Sequence, residues 1–198
     1  MSVDTVHQVL TELKEYSSEV DLDFARQSIK ALGQCAVKFE SVADDAVALL
    51  VELIHSRVNY IVQEAIVVMK DIVRQYPNRF EHTIPVLCAA LSVLDRPEAK
   101  ASLIWMVGEY AERIENATSL LKDFCDTFED ESDVVQLQIL TSSVKTFLKH
   151  QDANTQRIVQ RVLHSASSSE SPDLRDRALI YWRLLSSGAA AVGDVVSP

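Results

Sequence analysis

The sequence predicts an all-α fold of stacked helical hairpins, and three observations predict it. A two-helix pattern returns at a fixed period. Only 4 Gly and 5 Pro occur in 198 residues, and they fall near the ends of periodic segments. One segment, from Tyr60 to Val73, is apolar on too many sides for a surface helix. Long helices joined by short turns follow from the first two, because sheet architectures need more turn residues than this.

The first element is read from Val6, Val9, Leu10, Leu13 and Tyr16, which recur at helical spacing with Glu12, Lys14 and Glu15 opposite. They predict one amphipathic helix. A second helix opens at Asp21, a good N-cap, and carries Phe24, Ala25, Ile29, Leu32 and Ala36 on its apolar side. The pair forms an antiparallel hairpin. The second helix of each later pair opens near Asn59, Asp95, Ser132 and Ser171, a spacing of roughly 36 to 39 residues from Asp21 onward. HEAT and armadillo arrays have such periods, because one hairpin cannot bury both its faces and a stack can. The expected architecture is a right-handed α-solenoid of about five HEAT/armadillo-like hairpins.

Local chemistry is expected to mark the joints. Ser41 with Asp44, and Asp95 with Glu98, have capping-box spacing, and Pro97 and Pro172 suit first turns. Pro77 ends the helix that begins near Asn59, since proline disfavours helical geometry in the residue before it. Ile61, Val62, Ala65, Ile66, Val67, Val68, Met69, Ile72 and Val73 require cover on most sides of that helix, as a middle position in a stack supplies. Ser165 to Ser171 reads as a long inter-helix loop, and 188–198, small and with Gly188 and Gly193, as a flexible tail.

The formal net charge of -10 argues against nucleic acid or an anionic membrane as the main partner. Cys35, Cys88 and Cys125 form no CxxC pair and sit in apolar stretches, which reads as reduced core thiols in the cytosol or nucleus. Residues 1 to 20 are interrupted by Asp4, Glu12, Lys14 and Glu15, so they hold no signal-peptide core, and apolar patches such as Ala65 to Met69 are too short to span a bilayer.

Residues that carry chemistry are scattered. No glycine-rich phosphate loop exists. His7, His55, His82, His150 and His164 lack HExxH spacing and never pair with cysteine in a zinc pattern, so no metal and no cofactor is expected. Glu109 and Glu112 flank Tyr110 on what reads as a solvated helix face, beside Arg113 and with no nucleophile. Cys125 and His164 are a conceivable nucleophile and base whose spacing specifies nothing. Trp105 and Tyr110 read as core. Asp173, Arg175, Asp176 and Arg177 open a helix that is expected to bury Leu179, Ile180, Trp182 and Leu185, with an Asp–Arg ladder to the adjacent repeat. Lys145, Lys149, Arg157 and Arg161 form a candidate basic patch across one hairpin, suited to an acidic partner or a phosphoinositide. No catalytic residue is assigned, and no partner-binding residue is singled out.

Three stretches resemble beta-adaptins, the beta-type large subunits of clathrin adaptor complexes. They are Asn59-Tyr60-Ile61-Val62-Gln63-Glu64-Ala65-Ile66-Val67-Val68, then Ile104-Trp105-Met106-Val107-Gly108-Glu109-Tyr110-Ala111-Glu112-Arg113-Ile114, then Asp173-Leu174-Arg175-Asp176-Arg177 running on to Ile180-Tyr181-Trp182-Arg183-Leu184-Leu185. Glu12-Leu13-Lys14-Glu15-Tyr16 and Tyr76-Pro77-Asn78 fit the same register. The resemblance implies the later part of the trunk over 1–187 and the start of the hinge over 188–198. It implies a non-catalytic scaffold in vesicle-mediated transport and cargo sorting. The implied partners are the adaptor medium subunit and the partner large subunit, with membrane association only through the complex. The implied place is cytoplasmic, on trans-Golgi, endosomal or plasma-membrane coated vesicles and pits. Another HEAT-repeat scaffold, of the nuclear-transport or phosphatase type, is what periodicity alone would allow. An isolated segment of such a stack is expected to self-associate, because repeat faces then meet water.

Overall fold

Ten α-helices follow one another among the described residues of the computed structural model, which are 3–16 and 21–187, with side chains described from residue 8. They pair as α1 (Val3–Tyr16) with α2 (Leu22–Lys38), α3 (Ala43–His55) with α4 (Asn59–Gln75), and α5 (Ile84–Ala89) with α6 (Pro97–Glu109). Then come α7 (Ala117–Asp126) with α8 (Asp133–Lys149), and α9 (Ala153–Ser167) with α10 (Pro172–Ser187). The expected openings near Asp21, Asn59, Asp95, Ser132 and Ser171 therefore lie within two residues of α2, α4, α6, α8 and α10. The segment 188–198, read from sequence as a tail, lies outside the described residues.

The chain divides into two compact units, Met1–Leu103 and Ile104–Pro198. In the first, α2 packs on α1, α3 and α4, and α3 packs on α4. Ile29, Leu32, Leu50, Ile66, Met69 and Ile72 are wholly enclosed there. Each such side chain contributes roughly 1.5–3 kcal/mol by leaving water. In the second, α8 packs on α7, α9 and α10, and α9 on α7 and α10. Ile139, Leu140, Val144, Val162, Leu163 and Leu174 fill its centre.

Inside each unit, polar contacts bridge one hairpin to the next across nearly the period seen in the sequence. Tyr76 donates its hydroxyl to the Ala36 carbonyl at 2.9 Å, satisfying the C-terminal end of α2 across 40 residues. At the end of α6, Lys149 Nζ donates to the Glu109 carbonyl, and His150 Nε2 lies 3.2 Å from the Ala111 carbonyl. Two glycines sit where helices nearly touch. A Cβ on Gly33 of α2 would meet the Val68 side chain of α4 at 2.1 Å, and one on Gly108 of α6 would meet Ser142 of α8 at 2.6 Å.

The local signals at the joints hold only in part. Asp21 caps α2, accepting from the Asp23 and Phe24 amides at 3.0 and 3.2 Å, and Pro97 and Pro172 open their helices. Ser41 instead lies within a 3-10 turn, Glu40–Val42, so α3 starts behind Val42 with no side-chain cap. The Asp95–Glu98 box does not form either. The first helical bonds of α6 run to the Arg96 carbonyl, and Asp95 accepts from Asn59 Nδ2 at 3.3 Å. The serine-rich stretch begins as helix, since α9 reaches Ser167, and the loop to α10 is shorter than expected, covering only 168–171. Glycine-free turns are made by Arg57 and Asn78, at φ 56° and 65°, after α3 and α4.

Candidate functional site

Buried ionisable groups are the first place to look for chemistry, and in this fold they are joints. Glu64 of α4 is 2% exposed. It accepts from Arg96 at 2.9 Å, and Lys30 of α2 lies 3.6 Å away. Its neighbour Gln63 accepts from the Arg96 amide at 2.7 Å and donates to Asn59. A buried carboxylate with two cations is compensated rather than poised. The missed signal is two polar residues, Gln63-Glu64, in the middle of a largely buried apolar run.

Glu109 and Glu112 do not share one helix face. α6 ends at Glu109, and Glu112 belongs to the 3-10 turn Ala111–Arg113. Glu109 is not on a solvated face, because Lys145, itself 7% exposed, donates to it at 2.6 Å. Burial pushes the Lys149 ammonium below its ordinary range, against the opposing pull of Glu109 and Glu112. The four cations expected to form one patch therefore separate. Lys145 and Lys149 are spent on the end of α6, while Arg157 and Arg161 lie on α9 along a cleft against α7.

Cys125 and His164 make no hydrogen bond with each other. Burial pushes the Cys125 thiol up to about 12, with Arg161 opposing, and Cys88 up to about 11. Such thiols hold their protons at neutral pH and are poor nucleophiles. Among the described residues no group of three or more His, Cys, Asp or Glu is placed to hold a metal ion, and no helix is long and apolar enough to cross a membrane.

The α10 expectation is corrected in two ways. Leu174, Ala178 and Tyr181 are its buried residues, whereas Leu179, Ile180 and Trp182 are 45%, 53% and 50% exposed. The helix meets α8 and α9 along one stripe, and those three side chains point off it. Among the described residues, the charges opening α10 also form no Asp–Arg ladder to the adjacent repeat. Arg177 pairs with Asp173 within α10 at 3.8 Å, and Arg175 donates to the Ser169 carbonyl at 3.1 Å. Phe24 likewise stays 47% exposed, its ring tilted against that of Tyr16 at 5.2 Å between centroids, while Ala25, Ile29, Leu32 and Ala36 are enclosed. Tyr110 is buried as expected, and Trp105 is half-buried. What the surface offers is therefore apolar faces and open clefts, with no assembled reaction centre among the described residues.

Residues 1–189 match the family model described as the adaptin N terminal region. The chain is 56% identical over 192 residues to the AP-1 complex subunit beta-1 of Homo sapiens, covering 96% of this chain and 20% of that protein. It is 52% identical over 192 residues to the AP-1 complex subunit beta of Dictyostelium discoideum, with the same coverage. It is 38% identical to the AP-2 complex subunit beta of Schizosaccharomyces pombe, over 98% of this chain and 29% of that one. The chain thus spans about a fifth of the length of the first relatives it matches. Its fold also matches a homology model of the full-length AP-3 complex in an intermediate open conformation, with a TM-score of 0.73 at 20% identity, over 94% of this chain and 35% of that one.

Proposed function

The chain belongs to the adaptin N-terminal-region family, and from that premise we infer that it is a non-catalytic scaffold segment of a beta-type large subunit of a clathrin adaptor complex, from the later part of the trunk. The observation that carries this reading is the match to beta-type subunits along nearly the whole chain. Paired helices that spend their buried charges on joints between hairpins suit a frame rather than a reaction site. The partners of the reading are the adaptor medium subunit and the partner large subunit. Its place is the cytoplasmic side of coated vesicles, with membrane contact made through the assembled complex. The test is co-purification with medium, small and partner large adaptor subunits. Specific capture of a medium subunit supports the reading. Failure with well-folded subunits removes the assembly role from this segment.

The same reading carries a prediction for the isolated chain. Leu179, Ile180 and Trp182 in the last hairpin, and Leu22 and Phe24 in the first, are all 45–53% exposed. Exposed apolar faces of repeat ends drive association. The isolated chain is expected to self-associate and to bind a hydrophobic dye. A clean monomer by light scattering at high concentration, with no dye signal, overturns this.

A further inference from the structure

We propose that the cleft between α7 and α9 binds an extended acidic peptide segment. The cleft lies wholly within the second unit, has a volume of about 690 Å³, and is lined by Asn116, Ser119 and Lys122 from the α7 side and by Asn154, Arg157 and Arg161 from α9. Its one acidic lining residue is Glu115, on a chain whose net charge is -10. That balance is what sets this surface apart.

Lys122 and Arg157 are exposed and make no ion pair or hydrogen bond with any described residue, in contrast to Lys145, Lys149 and Arg161. Arg161 is held at 2.6 Å by Asp126, and both side chains of that pair are 50% exposed, so the pair is weakly bound and open to exchange. Asn116, at the start of α7, makes no side-chain cap bond, which leaves its amide and carbonyl groups to the cleft.

Spacing decides the class of ligand. Arg157 and Arg161 are four residues apart on α9, about 6 Å along the helix axis. Alternate residues of an extended chain are roughly 6.6 Å apart on one face. A peptide with acidic residues at alternate positions therefore sets two carboxylates against the two guanidiniums, with Lys122 across the cleft. Arginine suits this pairing because its planar fork takes a carboxylate with two parallel bonds.

The test is fluorescence anisotropy of the 198-residue chain with a labelled peptide of alternating glutamate and serine. Saturable binding that weakens with added salt is expected. Arg157→Glu should weaken it about tenfold, a change of the size that loss and reversal of one such contact gives. Arg183→Glu, the same charge change on the exposed side of α10, should leave it within about twofold. Asp126→Asn releases Arg161 and should tighten binding, an outcome that loss of folding cannot imitate. Equal effects of Arg157→Glu and Arg183→Glu would reduce the binding to net charge and overturn the proposal. Absence of saturable binding, or binding only to vesicles carrying phosphorylated inositol lipids, would overturn it as well. This proposal stands apart from the scaffold reading, since capture of an adaptor subunit and binding of the peptide succeed or fail separately.

Discussion

The first unit and the second solve the same packing problem, a helix crossing closely over the matching helix of the next hairpin, with different surroundings. In the first, Gly33 of α2 faces Val68 of α4, and the atoms in the way are side-chain methyl groups. In the second, Gly108 of α6 faces Ser142 of α8, whose backbone Cα would lie 2.8 Å from an added Cβ. Ser142 is fully enclosed and donates to the Ile104 carbonyl at 2.9 Å, so the close approach is also hydrogen-bonded. Val68 is β-branched and stiff in a helix, so its methyl yields only through a rotamer change or a small helix shift, whereas at Gly108 the Ser142 backbone itself is in the way. The two glycines look alike in sequence and differ in what must move.

The sharpest way to break that comparison is Gly108→Ala. Alanine gains about 1 kcal/mol of helix propensity over glycine, but forcing the backbones apart and losing the Ser142 bond costs more. A net destabilisation of about 2–3 kcal/mol is expected from urea unfolding. No loss would mean that α6 and α8 separate freely at that point.

Arg96→Met comes next. It removes the 2.9 Å partner of Glu64 and leaves Lys30, at 3.6 Å, as the remaining cation near a carboxylate 2% exposed. Breaking a fully buried pair costs about 3–5 kcal/mol. With Lys30 still present and the Arg96 side chain 36% exposed, about 2 kcal/mol is expected from the same measurement. An unchanged midpoint would show that Lys30 alone satisfies Glu64.

Gly33→Ala is expected to be milder, about 1–2 kcal/mol, because the propensity gain of about 1 kcal/mol offsets part of the crowding against Val68, whose methyl would lie 2.1 Å from the new Cβ. If it proves as damaging as Gly108→Ala, the distinction between methyl and backbone neighbours fails.

The smallest effect belongs to Asp152, the cap of α9. Its carboxylate accepts from the Asn154 and Thr155 amides at 2.8 Å, and the Thr155 amide above all holds its pKa below the ordinary carboxylate range, helped by Asn154. A depressed carboxylate stabilises the fold fully above its unfolded pKa, near about 4, and that contribution is lost as pH falls through the lower folded value. Asp152→Asn keeps a good cap and removes the titration. Thermal melts of this variant should lose less stability than the parent between neutral pH and about pH 3.

Hairpin number and helix order were legible because the period of 36 to 39 residues is a property of apolar placement, which every repeat shares. The tyrosine at the α4 stop, Tyr76, was read correctly through Pro77, a strictly local signal. What sequence could not show depends on neighbours one repeat away. Ser41 has the spacing of a cap and spends itself in a 3-10 turn, because the chain turns into α3 at Val42. Leu179, Ile180 and Trp182 have the composition of a core and point off the packed stripe of α10. Lys145 and Arg157 look interchangeable in a list of cations, yet one is enclosed beside Glu109 and the other is open along the α7–α9 cleft.

The helices that pack together within each unit are never more than two apart in chain order, and the polar bridges described above span at most 40 residues. Closing loops of that length costs little entropy, and structures built of short-range contacts fold fast. A chain of this kind has no need to wait for its C-terminus. Its early hairpins are expected to settle while later ones are still being synthesised, each new pair docking on a surface already formed.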